Sequence, residues 1–247
     1  MKPLLVAIQF LTWLPVTTNS VATRQELGAS ACFYPLVGLL IGLLLVVLHA
    51  FLGDIEPALV AVVLLVLLTL LTGGLHLDGL ADTADAWVGG HGSHERTLRI
   101  MKDPACGPAG VTALVLVLLA KFGAFSVLVE EQAWLALLIV PALGRAALLL
   151  LLISTPYVRT QGLGADLAQA IPRTSAFWSL GLTSGLVVLL GGAEGVVLLL
   201  VVGVLLWILR RSFLQRIAGV TGDTLGAACE LVETVSLLTL AFGLSVS

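Results

Sequence analysis

The chain has 247 residues, of which 59% are hydrophobic and only 11% charged. Soluble domains carry about 25% charged residues, so that class is excluded. The formal net charge of −3 gives nucleic-acid binding no footing, and Cys32, Cys106 and Cys229 form no C-x-x-C pair, which argues for packing roles over a disulfide framework or a zinc site.

Several apolar runs reach the roughly 20 residues that a membrane-crossing helix needs. They lack the alternation of barrel strands. The expected fold is all-α: a polytopic integral membrane helical bundle, one membrane domain over 1–247, with about seven spans and an amino-terminal interfacial or re-entrant helix. The apolar run from Leu4 to Val16 superficially resembles a signal peptide, but no small-x-small cleavage site follows and Pro15 closes it. It reads as the retained amino-terminal helix.

Candidate spans follow at 32–52, 58–76, 109–129, 134–153, 176–191, 195–209 and 228–246, the fifth and sixth being short. Their connections alternate in charge. Those with Asp54 and Glu56, with Glu130 and Glu131, and with Glu194 have no Lys or Arg. The others carry Arg24, then Arg96, Arg99 and Lys102, then Arg159 and Arg173, then Arg210, Arg211 and Arg216. Basic connections face the cytoplasm in most polytopic proteins. The polar motifs fall on that same side, so the expected site, built from segments 73–110 and 219–233, faces the cytoplasm. No inverted repeat of the kind common in transporters is visible.

The most informative stretch runs from Gly73 to Asp85. Asp78, Asp82 and Asp85 stand at i, i+4 and i+7, on one face of a helix. Like charges so placed repel unless a cation lies between them. Oxygen-only ligands favour Mg²⁺, Mn²⁺ or Ca²⁺. The small residues Gly79, Ala81 and Ala84 let a helix or a bulky ligand approach. The plainer alternative is a hydrated interfacial helix. His76, beside Asp78, reads as a ligand, a substrate donor, a base or a structural histidine; His91 and His94 read as solvated, His49 as structural.

Arg96, Arg99 and Lys102 recur at i, i+3 and i+6, which suits either a helix on anionic headgroups or a phosphate clamp. Lys102 and Asp103, next to Pro104 and the Gly107-Pro108-Ala109-Gly110 run, favour a shaped functional loop. Lys121 and Arg145 fall near mid-span, where isolated cations are paired or line a polar cavity. Each reads as a structural partner of a buried acid or as a donor to an anionic substrate, Arg145 being the better phosphate fork. Asp223, Glu230 and Glu233 share one face of the last span, and the two glutamates either complete a metal site or pair with Lys121 or Arg145.

Gly-Gly-Leu-His-Leu-Asp-Gly-Leu-Ala-Asp-Thr-Ala-Asp from Gly73, Ile-Met-Lys-Asp from Ile100, Thr-Gly-Asp-Thr-Leu-Gly-Ala from Thr221 with its following Glu-Leu-x-Glu, and the early Phe10-Leu11-Thr12-Trp13-Leu14-Pro15 resemble the cobalamin-5′-phosphate synthase family. These are the adenosylcobinamide-GDP ribazoletransferases of bacteria and archaea. The motifs run in family order across nearly the whole chain. After Lys102-Asp103 the family commonly has Ser and then Gly-Thr-x-Gly, whereas this chain has Pro104 and Gly107-Pro108-Ala109-Gly110. The missing hydroxyls bear on the role of that loop.

The resemblance implies an Mg²⁺-dependent enzyme in a prokaryotic plasma (inner) membrane. It implies that adenosylcobinamide-GDP and α-ribazole, or its 5′-phosphate, give adenosylcobalamin, or its 5′-phosphate, and GMP. In that scheme Asp78, Asp82 and Asp85 are metal ligands, with Asp82, Asp85 and His76 as candidate catalytic groups. Lys102, Asp103, Lys121, Arg145 and Asp223 are candidate substrate contacts. The partners implied are the two substrates and the lipid bilayer, with a homo-oligomer left open. Two competing readings are a CDP-alcohol-type phosphotransferase and a divalent-cation transporter. The first lacks its Arg, since Asp82 stands there, and its distal Asp pattern. The second needs acids at mid-membrane depth connecting both faces, and here the triad lies at one end.

Overall fold

Backbone N–H and C=O groups in lipid must pair within their own segment, so the apolar runs fold as helices. The computed structural model of the chain describes residues 2–18, 20–53 and 55–246. Among them are α1 (Lys2–Leu11), α2 (Arg24–Ala31), α3 (Tyr34–Leu52), α4 (Pro57–Thr72), α5 (Leu75–Gly89), α6 (His94–Ile100), α7 (Pro108–Glu130), α8 (Trp134–Ser154), α9 (Leu163–Ala170), α10 (Arg173–Ile217) and α11 (Gly222–Val246). Asp54, part of the first acidic connection, lies outside the described residues.

Among the described residues five helices, α3, α7, α8, α10 and α11, are long and apolar enough to cross a membrane, and α4 with α5 makes a sixth if that bent pair counts as one. The chain is therefore polytopic and all-α, with a lower count by length than the seven expected runs. Two local features account for the difference. α4 has only 16 residues before the chain turns by 88° into α5. The runs 176–191 and 195–209 are continuous as α10, broken by non-helical Gly192 at φ 54 and ψ −129. That break is severe. In a straight helix residues 187 and 195 would lie about 12 Å apart, yet a Cβ on Gly195 would collide with the Val187 carbonyl. The chain folds back on itself at Gly192. Both ends of α10 accordingly meet the end of α8: Arg210 Nη2 donates to Ser154 O at 2.8 Å, and Arg173 lines a cleft together with Ser154.

α8 lies at the centre, with 83% of its apolar window buried. α3 lies directly on it, because Gly38 and Gly42 admit the α8 backbone; a Cβ on either would collide with the carbonyls of Pro141 or Leu138. Small residues at such a crossing let two helices approach closely in lipid. Pro141 has no N–H to give Leu137 O, and that carbonyl faces Gly42.

α1 has ten residues, about 15 Å of helix, too short to cross alone. It is moored to α2: Lys2 Nζ donates to Ser20 Oγ at 3.0 Å and to Glu26 Oε2 at 2.8 Å. Thr23 and Glu26 form a capping box at the start of α2. The Lys2 ammonium and the Thr23 backbone N–H hold the half-buried Glu26 carboxyl down to about 2. The connection after α8 is tied to the one before α11: Val158 N donates to Val220 O and Val220 N to Pro156 O. That tie delivers Tyr157 and Arg159 to the head of α11.

Candidate active site

The bend between α4 and α5 is made by Gly73 and Gly74, both left-handed at φ 60 and 69. Side chains other than glycine rarely adopt two such conformations in a row. The Trp13 ring covers the bend, 2.8 Å from where a Gly73 Cβ would stand, and Trp13 N donates to Leu71 O at 2.7 Å. The family-like opening and the acidic helix therefore meet in space.

α5 then lies against α11 almost backbone to backbone. A Cβ on Gly79 would sit 2.7 Å from Asp223 O, and one on Gly226 would sit 3.2 Å from the Cα of His76. The two glycines bring Asp78 and Asp82 beside Asp223. Asp82 lies in the repulsive field of Asp78, Asp223 and Asp85, relieved by Arg159. Arg159 Nη2 donates to Asp223 Oδ2 at 2.6 Å, while its buried Nε finds no partner. Among the described residues neither Asp78 nor Asp82 makes a side-chain hydrogen bond. Tyr157 is close by, its hydroxyl near Gly222; burial pushes its pKa up, so it stays a neutral donor.

Asp85 is engaged differently. Its carboxylate accepts from Gly107 N at 2.6 Å and Gly110 N at 2.8 Å. Those are the N-cap and third-position amides of α7, so Asp85 caps the positive end of that helix from outside. A Cβ on Gly107 or Gly110 would stand 2.5 Å from an Asp85 oxygen, which explains both glycines. Asp85→Ala is expected to lower stability by about 1–2 kcal/mol. Asp85→Asn, which keeps one acceptor, is expected to lose less. Denaturation of the two variants in detergent checks the order.

The remaining expected site residues divide. Asp78 lies between two cavities. One, of about 160 Å³, runs toward α3 and α8 and includes His76, Asp78 and Asp223. The other, of about 680 Å³, is framed by Trp13, the Gly73–Gly74 bend and Cys106. Lys102 and Asp103 lie on the exposed turn after α6, and Asp103 Oδ1 accepts from Ala105 N at 3.0 Å. α6 ends at Ile100, so the helical spacing of Arg96, Arg99 and Lys102 does not extend to Lys102. His76 is buried and its Nδ1 is unpaired.

Lys121 and Arg145 line neither cavity. Lys121 Nζ donates to Glu230 Oε2 at 2.7 Å and Glu233 Oε2 at 2.5 Å, and Arg145 pairs with Glu233. All four side chains are buried. Of the two readings open for each, the structure displays the ion pair, in a 2:2 cluster tying α7, α8 and α11 together within electrostatic reach of His76.

In the sequence Arg159 stands out only as a topological charge, Phe10 only as part of the opening motif, and Tyr34 and Tyr157 not at all. No spacing links them to Asp78. Among the described residues, no group of three or more His, Cys, Asp or Glu side chains is arranged to hold a metal ion.

Comparison with known proteins covers this whole architecture. The family model described as cobalamin-5-phosphate synthase matches residues 3–241. An adenosylcobinamide-GDP ribazoletransferase of Pseudomonas fluorescens is 52% identical over 241 residues, 98% of this chain and 99% of the relative. The protein of that name from Pseudomonas entomophila is 53% identical over 243 residues, with the same coverage. That from Acinetobacter baumannii is 46% identical over 242 residues, 97% of this chain and 96% of the relative. No solved structure matches. Matches that run nearly end to end leave no segment of the acidic site outside the shared region, and the chain belongs to the cobalamin-5-phosphate synthase family.

Proposed function

We propose that this chain joins adenosylcobinamide-GDP to α-ribazole or its 5′-phosphate, giving adenosylcobalamin or its 5′-phosphate and releasing GMP. Family membership supports the reaction. The observation that carries the site is the convergence of Asp78, Asp82 and Asp223 with Arg159 between two cavities.

The donor set fits Mg²⁺. It is all oxygen, crowded with like charge, and has a single cation among it. Mg²⁺ characteristically takes one or two carboxylates plus substrate phosphates rather than a complete protein cage. Asp78 and Asp82 would hold it. When bound, it supplies charge neutralisation at the diphosphate oxygens.

The residues of this chain do the rest. Arg159, held by Asp223 beside Asp82, contributes the positive charge next to the reacting groups. The ribazole hydroxyl attacks the phosphorus on the cobinamide side, and the bond to the GMP oxygen breaks. Asp82, free of hydrogen bonds, accepts the hydroxyl proton. Asp85 holds the 101–107 turn against the site rather than taking that proton, since its carboxylate is engaged by α7.

The same reading makes the chain a seven-pass protein of a prokaryotic inner membrane with its site toward the cytoplasm. Supporting it are the fold-back at Gly192, which separates two arms of α10, and the alternation of basic and acidic connections. A cation-transport reading is disfavoured because the acids deep in the bundle, Glu230 and Glu233, are neutralised by Lys121 and Arg145.

Detergent-purified protein incubated with adenosylcobinamide-GDP, α-ribazole and Mg²⁺ is expected to release GMP in step with the cobalamin product, and to stop in chelator. Absence of GMP from a folded sample overturns the activity. Undiminished release in chelator overturns the metal.

A further inference from the structure

The 160 Å³ cavity beside Asp78 has walls that the transfer chemistry does not require. Phe10, Leu148, Leu152 and Leu167 make it largely apolar, and Asp78 and Asp223 bring carboxylates to its lining, with His76 and Tyr157. Phe10 and Tyr34 stack with ring centroids 6.1 Å apart and planes 16° from parallel. Tyr34 is 2% exposed, and its hydroxyl has no partner in hydrogen-bonding geometry. The Ser30 hydroxyl, which donates to Leu27 O at 2.7 Å, lies nearby but outside hydrogen-bonding geometry with that of Tyr34. A buried hydroxyl without a partner is unfavourable, and native structures seldom keep one without a use.

We propose that this cavity receives the planar base of the acceptor nucleoside, and that Tyr34 Oη donates to the unsubstituted ring nitrogen of that base. The proposal rests on the ribazole reading above and adds to it the place and the recognition of the acceptor. A flat, mostly apolar nitrogen heterocycle matches walls of leucine and stacked aromatics that carry few polar groups, among them the unpartnered Tyr34 hydroxyl. A corrin or a guanosine diphosphate is too large and too polar for it. With the base inside, the ribose is directed to Asp78 and Asp223, which neighbour Asp82, the acceptor of its hydroxyl proton. The donor diphosphate then enters from the cavity of about 680 Å³ on the other side of Asp78. Approach of acceptor and donor from opposite sides of one carboxylate suits an in-line displacement.

The test compares α-ribazole with its indole analogue, in which that ring nitrogen is a carbon, on wild type and Tyr34→Phe. Binding is read by equilibrium dialysis without turnover, and KM is read alongside. Wild type is expected to prefer α-ribazole about tenfold, one hydrogen bond's worth. Tyr34→Phe is expected to bind both nucleosides alike, with a KM for α-ribazole raised by the same factor and an unchanged KM for adenosylcobinamide-GDP. Equal affinity of wild type for the two nucleosides overturns the proposal, as does undiminished discrimination by a folded Tyr34→Phe. If the variant fails to fold, the wild-type comparison alone decides. A wild-type protein that binds α-ribazole selectively but releases no GMP sinks the transferase reading and leaves the pocket standing.

Discussion

Asp82→Asn is expected to reduce GMP release by about 10²–10⁴-fold, the range for loss of a proton-accepting carboxylate, while the protein folds as well as wild type or better. The two effects have opposite signs for one reason. Asp82 is half-buried, makes no side-chain hydrogen bond and is repelled by Asp78, Asp223 and Asp85. Its attraction to Arg159 is outweighed by three like charges and by burial, so neutralising it relieves repulsion. The chemistry needs the charge twice, for a cation and for a proton. Melting in detergent with chelator present is expected to place the variant at or above wild type. Melting with Mg²⁺ is expected to raise wild type more than the variant, because a ligand stabilises only the state that binds it. Full turnover by Asp82→Asn removes Asp82 from the mechanism. An unstable variant shows instead that the carboxylate was structural.

That residue was legible from the sequence because it sits in a short-range pattern. The i, i+4, i+7 spacing of Asp78, Asp82 and Asp85 survives in α5, since a helix fixes such neighbours whatever surrounds it. The individual roles were not legible. Asp85 differs from Asp82 because Gly107 and Gly110 present amides to it, and those glycines lie more than twenty residues away. Arg159, Tyr34 and Phe10 reach the site from three separate segments. Their convergence depends on Gly38 and Gly42 admitting α8, and on Gly79 and Gly226 admitting α11 and α5 to each other. Single glycines in apolar runs do not announce which helix they admit.

The span pattern shows the same limit. Among the described residues hydropathy locates each long apolar helix, because burial in lipid acts on each segment independently. It placed a run at 176–191 and another at 195–209, but a Gly192 conformation, not hydropathy, decides that α10 turns back there. The buried charges are an intermediate case. Cations at mid-span demand partners, and Glu230 and Glu233 were the available acids; the choice between partner and substrate needed the packing of α7 and α8 on α11.

That choice has its own expected result. Lys121→Met is expected to destabilise the protein by about 3–5 kcal/mol, the usual result of removing one member of a buried ion pair. Lys121 Nζ lies 2.7 Å from Glu230 and 2.5 Å from Glu233, so its loss leaves two carboxylates facing a single Arg145. Lys121→Met combined with Glu230→Leu restores neutrality, with Arg145 and Glu233 still paired. It is expected to recover most of the lost stability, giving a coupling energy of at least about 2 kcal/mol in a double-mutant cycle. Thermal melting in detergent measures the cycle, and GMP release measures the consequence. If the cluster only fixes the helices, the double variant keeps its turnover within a few-fold of wild type. If Lys121 instead holds substrate phosphate, the double variant is stable, its turnover falls far below wild type, and its KM for adenosylcobinamide-GDP rises. The stability and activity of one protein thus separate the two roles that a mid-span lysine allows.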